Sequence, residues 1–110
     1  MNTEDNFSQL RKGLLEFAVL NIVSAHKVYA ADILTRLATT PFTTGEGTLY
    51  PLLSRLKREE LLEYTWVESE AGPPRKYYAL TAAGKTRLQA LRDYWETMNQ
   101  AITKLGAYHA

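Results

Sequence analysis

The stretch Leu61-Leu62-Glu63-Tyr64-Thr65-Trp66-Val67-Glu68, then Ala71-Gly72-Pro73-Pro74, then Arg75-Lys76-Tyr77-Tyr78-Ala79-Leu80 decides the fold. The first and third segments are rich in β-branched and aromatic residues, and the middle one is a cluster of chain-turning residues. Together they predict two short strands joined by a turn stiffened by consecutive prolines, a β-hairpin. An isolated hairpin is marginally stable in water, so its apolar side needs helices to rest on.

Those helices lie on both sides. Immediately upstream, Leu49, Leu52, Leu53 and Leu56 sit at i, i+3, i+4 and i+7, one face of a helix that Thr44 can cap; Pro51 falls near its first turn and a half. A second helix is predicted from about Ala30 to Thr39, with Ile33, Leu34 and Leu37 facing inward and Pro41 ending it. His26 to Tyr29 read as a connection. From Phe7 to Ser24 the chain is dense in helix formers, and Leu14 to Val23 is nearly all apolar, so this helix is buried on more than one side. Asn21 interrupts it with an amide that needs hydrogen-bond partners. Downstream, Thr81 caps a helix running to about Lys104. Its apolar residues Leu88, Leu91, Trp95, Met98, Ile102 and Leu105 step 3, 4, 3, 4, 3, the seam of a helix that pairs with a helix.

Three helices, a hairpin and a long helix predict a mainly α fold with a small β-hairpin (α+β), a winged helix-turn-helix with a long C-terminal helix. Residues 1–80 would form a DNA-binding unit and 81–110 a dimerisation helix packed with it. The 110 residues, 12.5 kDa, allow one compact domain. A hydrophobic content of 45% with 23% charged residues suits a folded chain, and zero cysteines exclude a disulfide framework and a thiolate metal site. No apolar run approaches the roughly 18 residues of a membrane span. The polar start Met1-Asn2-Thr3-Glu4-Asp5-Asn6 does not read as a signal peptide, so a cytoplasmic protein is expected.

Catalysis finds little to work with. His26 and His109 have no metal-ligand spacing to another candidate, and no cofactor or metal is expected. Ala79 to Thr86 ends in Gly84-Lys85-Thr86 like a phosphate-binding loop. Yet Ala79 stands where such a loop needs glycine, and a hairpin strand offers no parallel sheet behind it. No nucleophile, base and oxyanion set is visible, so an enzyme is not expected.

Charge placement points elsewhere. Between Gly45 and Lys76 there are five cations (Arg55, Lys57, Arg58, Arg75, Lys76) and six acids (Glu46, Glu59, Glu60, Glu63, Glu68, Glu70), a slightly acidic tally. At about 100° per residue, however, Thr44, Gly47, Pro51, Ser54, Arg55 and Arg58 project away from the leucine face of the third helix, with Tyr50 and Lys57 on one flank. These groups suit phosphate and base-edge contacts, although an ordinary solvated helix face would look similar. Arg75 and Lys76 beside the proline turn suit the DNA backbone or minor groove; balancing Glu68 and Glu70 is the plainer reading. Trp95, mid-seam, either fills an interface between two copies or walls a pocket for a flat apolar ligand. Phe17, Asn21 and Asn99 are the expected neighbours of that pocket.

Three segments resemble the PadR-like transcriptional regulators: Leu10-Arg11-Lys12-Gly13-Leu14-Leu15-Glu16; Gly47-Thr48-Leu49-Tyr50-Pro51-Leu52-Leu53 with Arg55-Leu56; and Gly72-Pro73-Pro74-Arg75-Lys76-Tyr77-Tyr78 with Leu80-Thr81 and Gly84. The likeness spans about Leu10 to Leu105 and matches the short subgroup with one C-terminal helix. It implies a homodimeric winged-helix protein, usually a repressor, whose Gly-Thr-Leu-Tyr helix enters the major groove while the Arg-Lys wing meets the flanking backbone. By motif it implicates Thr48, Tyr50, Arg55, Arg75 and Lys76 in DNA contact. Some short members bind planar aromatic compounds between paired C-terminal helices, beside a tryptophan placed as Trp95 is. Tyr29-Ala30-Ala31-Asp32 departs from the family's Tyr-Gly-Tyr-like pattern, which bears on the effector cavity or helix packing.

The expectation is thus a dimeric sequence-specific regulator of double-stranded DNA with a pseudo-palindromic operator, most simply a repressor released by a small aromatic effector. A winged-helix adaptor that binds protein without specific DNA binding is the alternative, carried by the acidic tally.

Overall fold

A computed structural model describes residues 6–107; the polar start up to Asp5 and His109 lie outside them. Seven elements follow in order: α1 (Ser8–Ala25), β1 (Val28–Tyr29), α2 (Ala30–Ala38), α3 (Glu46–Arg58), β2 (Leu62–Ser69), β3 (Gly72–Leu80) and α4 (Ala82–Ala107). The sheet has the order β1-β3-β2 and is antiparallel throughout. Among the described residues this is the mainly α fold with a winged hairpin and a long last helix that the periodicities predict.

The core is built from residues the leucine and valine spacings select. Val19 and Leu20 of α1, Ile33 and Leu37 of α2, Leu49, Leu53 and Leu56 of α3, and Leu62 of β2 are all fully buried. The α3 helix ends in a Schellman arrangement: the Leu61 amide donates to the Leu56 carbonyl and the Glu60 amide to that of Lys57. Glu60 takes the left-handed conformation this needs, at φ 61°, where glycine is the usual residue. Thr81 then caps α4, its Oγ1 accepting from the Gly84 amide at 2.9 Å while donating to the Glu60 carbonyl. Gly84 is pressed onto the preceding chain, and a Cβ there would collide with the Leu61 carbonyl oxygen. Gly84, Lys85 and Thr86 are therefore the first turns of a packed helix rather than a phosphate-binding loop.

Four local expectations are corrected. Residues 28 and 29 are a strand, not mere connection: Val28 pairs with Tyr78 and Tyr29 with Tyr77, a ladder too short to leave a periodic trace. The hairpin reverses at Glu70-Ala71, because Pro73 and Pro74 already belong to exposed strand β3. Helix α3 begins at Glu46, two residues after Thr44, with Gly45 at the N-cap and no side-chain cap. Finally, α1 leaves Leu14, Leu15, Phe17, Ala18 and Ile22 only partly covered.

The molecule measures 65 × 38 × 21 Å. The long axis belongs to α4, whose 26 residues extend about 39 Å at the helical rise. Only its first part is anchored: Leu88 is buried in the core and Leu91 packs against it. The helix then runs beside α1 as far as Met98, and its last turns, with Ile102 and Leu105, stand exposed.

Candidate nucleic-acid interface

The exposed side of α3 and one face of the β2–β3 wing meet in a groove. Alternation along β2 puts Leu62, Tyr64 and Trp66 on the same side. Their cross-strand partners are Leu80, Tyr78 and Lys76. This face runs from buried (Leu62, Tyr78) through half-buried (Tyr64) to open at Trp66, which is 62% exposed. A cavity of about 420 Å³ lies along it, lined among others by Tyr29, Tyr50, Ser54, Trp66, Arg75 and Lys76. Burial, with the phenols of Tyr50 and Tyr64 nearby, pushes the Tyr78 hydroxyl pKa upward, so it is neutral at physiological pH.

The cations around this groove rest on aromatic rings. The Lys76 ammonium sits 4.6 Å from the Tyr64 centroid and 5.5 Å from that of Trp66. The Arg75 guanidinium lies 5.4 Å over Tyr29, which itself stacks on Tyr77 at 4.8 Å. Lys57 reaches over Tyr64 at 5.7 Å. Among the described residues none of these three, nor Arg58, forms an ion pair with a carboxylate. Ring quadrupoles hold a cation in place without neutralising it, leaving the positive charge for an incoming anion. Two of the six acids are turned to other work: Glu59 is paired with Arg55, and Glu63 lines a separate cavity with Lys27, Lys85 and Arg92.

Of the other expected contacts, Thr48, Tyr50, Ser54 and Arg58 are exposed on α3, and Thr44 is half-buried in the loop before it. Arg55 is placed differently. Its guanidinium donates to Glu16 of α1 at 2.8 Å and to Glu59 at 2.8 Å, and these carboxylates, Glu16 first, raise its already high pKa. Glu16 also accepts from Arg87 of α4 at 3.1 Å. One carboxylate thus ties the exposed helix to both the first and the last. No local pattern links residues 39 and 71 apart, so this tie leaves no trace in the linear chain. Of the aromatic seats, Tyr64 and Trp66 follow the alternation of β2, whereas Tyr29 lies on the two-residue β1, which shows no period.

A second feature lies on the α1–α4 side. Trp95, 43% exposed, faces a cavity of about 250 Å³ with Leu14, Phe17, Ala18, Asn21 and Phe42. Asn21 is satisfied from both ends: its Nδ2 donates to the Phe17 carbonyl and its Oδ1 accepts from Arg92, each at 2.9 Å. Asn99 does not line the cavity; it stands exposed farther along α4. Ala30 and Ala31 line the groove beside α3 instead of this cavity, so the departure at these positions bears on the other face. The seam of α4 divides in two. Leu88 and Leu91 are engaged by their own chain, whereas Ile102 and Leu105 are 69% and 77% exposed, with Trp95 and Met98 between. Tyr94, 63% exposed, adds to the open surface.

No cluster of three His, Cys, Asp or Glu residues suited to a metal ion occurs among the described residues, and no helix there is long and apolar enough to cross a membrane.

Residues 19–90 match the family described as "Transcriptional regulator PadR-like family". The chain belongs to the PadR-like family. Solved structures agree over nearly its whole length. A PadR-like transcription factor from Bacteroides fragilis is 44% identical, with a TM-score of 0.80 over 92% of this chain and 98% of that one. A PadR-like regulator from Bacillus cereus is 37% identical, with a TM-score of 0.82 over 93% and 100%. One from Eggerthella lenta is 30% identical, with a TM-score of 0.82 over 92% and 88%. This PadR-like chain is therefore a DNA-binding transcriptional regulator and not an enzyme.

Proposed function

We propose that this PadR-like regulator is a homodimeric, sequence-specific repressor acting in the cytoplasm. Two α3 helices enter successive major grooves of a pseudo-palindromic operator, with half-sites about 10 bp apart or a multiple. Thr48, Tyr50, Ser54 and Arg58 face the bases and phosphates, Thr44 meets the backbone at the helix start, and Arg75 and Lys76 grip the flanking backbone. Arg55 contributes chiefly by fixing α3 against Glu16. The observation that carries this reading is the groove's set of cations seated on rings and unneutralised by acid. An adaptor role is weakened, since two of the six acids in the tally are occupied elsewhere: Glu59 is paired with Arg55 and Glu63 lines a separate cavity.

Dimerisation rests on the outer half of α4. Trp95, Tyr94, Ile102 and Leu105 stay open in one copy, and burying each large apolar side chain stabilises by about 1.5–3 kcal/mol. A two-fold pairing of α4 covers them with the commonest oligomer symmetry. In this arrangement residues 1–80 carry the DNA contacts and 81–110 the pairing, folded as one unit through Leu88. The cavity beside Trp95 is small for a ligand pocket in one copy, and a second α4 would extend it into a slot for a flat aromatic effector. Such an effector releases DNA only by its preference for a wing spacing that does not fit the operator.

A mobility-shift titration with DNA upstream of the protein's own gene, at two salt concentrations and with competitor DNA, tests the repressor. The expected result is a competitor-resistant shift that weakens with salt. A shift that any duplex abolishes equally contradicts sequence-specific binding.

A further inference from the structure

We infer that Trp66 is a DNA-contacting residue of the wing, its indole packing on the deoxyribose beside the phosphate that Lys76 holds. The inference rests on the DNA-binding reading of the α3–wing groove and adds to it a non-ionic anchor.

Trp66 lies on the groove face of β2, in register with Lys76, where the cover supplied by α3 has run out. An indole 62% exposed at the end of an otherwise buried stripe leaves apolar area in water that folding does not recover. Tyr64 meets it edge-on at 6.0 Å, which fixes the ring's attitude and leaves its outer surface open. The Lys76 ammonium is 5.5 Å from the ring centroid. A phosphate accepting from that ammonium at about 2.9 Å carries a sugar bonded to it on either side, so an apolar sugar carbon arrives at the indole with it. Charge complementarity selects duplex DNA as occupant: Lys76 sits beside the ring, Lys57 over the neighbouring Tyr64 and Arg75 over Tyr29 in the same groove, and none is paired with a carboxylate among the described residues. A protein partner would meet the same ring without needing three free cations.

A contact of this kind releases no counterion, and that gives it a signature. The full chain and its Trp66→Ala, Trp66→Phe and Lys76→Ala variants are titrated with one duplex over a range of salt. Trp66→Ala should weaken binding on the order of tenfold, with a log-log salt slope equal to that of the parent. Trp66→Phe should restore most of the affinity while abolishing a DNA-dependent change in tryptophan emission that the parent shows. Lys76→Ala should flatten the slope by about one. The inference is overturned if Trp66→Ala binds like the parent. It is also overturned if that variant flattens the slope as Lys76→Ala does, because Trp66 would then act only by seating the lysine. If Trp66→Ala does not fold, absence of any DNA-dependent emission change separating the parent from Trp66→Phe overturns it. A Lys76→Ala slope equal to the parent's would instead contradict the DNA reading of the groove itself.

Discussion

Gly84 shows how one atom can set a junction. Its α-carbon sits against the Leu61 carbonyl, at the point where α4 crosses the end of α3, so a methyl there must push backbone rather than a pliant side chain. Gly84→Ala should lower stability by about 1–3 kcal/mol despite alanine's better helix propensity, read as a drop in melting temperature. Tyr78 offers a second test. Burial raises its pKa above the ordinary 10.0, so its contribution is fully present below the unfolded value and is lost as pH rises through the folded one. The melting temperature should therefore fall as pH rises past the ordinary tyrosine value of 10.0, and Tyr78→Phe should reduce that fall. A variant that melts in parallel with the parent across this range would place the titration elsewhere.

Among the elements, α3 is held in position by charge as well as by leucines. Glu16 receives Arg55 from one side and Arg87 from the other, and its side chain is 18% exposed against 42% and 45% for the arginines. Solvent screens such pairs, so Glu16→Gln should cost about 1 kcal/mol of stability or less. Its larger effect should fall on DNA binding, by loosening α3 and freeing Arg55. The measurement is DNA affinity and melting temperature on the same variant, and a change in neither contradicts the positioning role. This tie was invisible in the sequence because nothing in a linear chain announces a contact between residues 16, 55 and 87. The elements themselves were legible: the leucine spacing of α2 and α3 and the 3, 4 stepping of α4 are direct images of helical geometry. Strand β1 was not, since two residues cannot show a period. The prolines misled about the turn because Pro73 and Pro74 sit at the open end of the wing. The candidate DNA face was legible in its helix half through angular position, and in its wing half only as two cations. The rings that seat them needed the sheet register.

At the scale of the molecule, α4 carries the consequence. A 26-residue helix anchored by Leu88 and Leu91 but open at Trp95, Ile102 and Leu105 leaves apolar surface that the proposed pairing with a second copy would cover. Replacing Ile102 and Leu105 with glutamate should convert the proposed dimer to monomer in sedimentation while leaving the winged domain folded, because both side chains lie outside the core. Operator affinity should fall with it, since each half then binds alone. A variant still dimeric at micromolar concentration would contradict pairing through the outer half of α4.

The central claim is that the α3–wing groove binds the DNA backbone through cations left unneutralised. Its most direct test is the salt dependence of duplex binding by the parent and by the Arg75→Ala/Lys76→Ala double variant. The account predicts weaker binding and a log-log slope shallower by about two for the variant. Equal affinities with parallel slopes would contradict it.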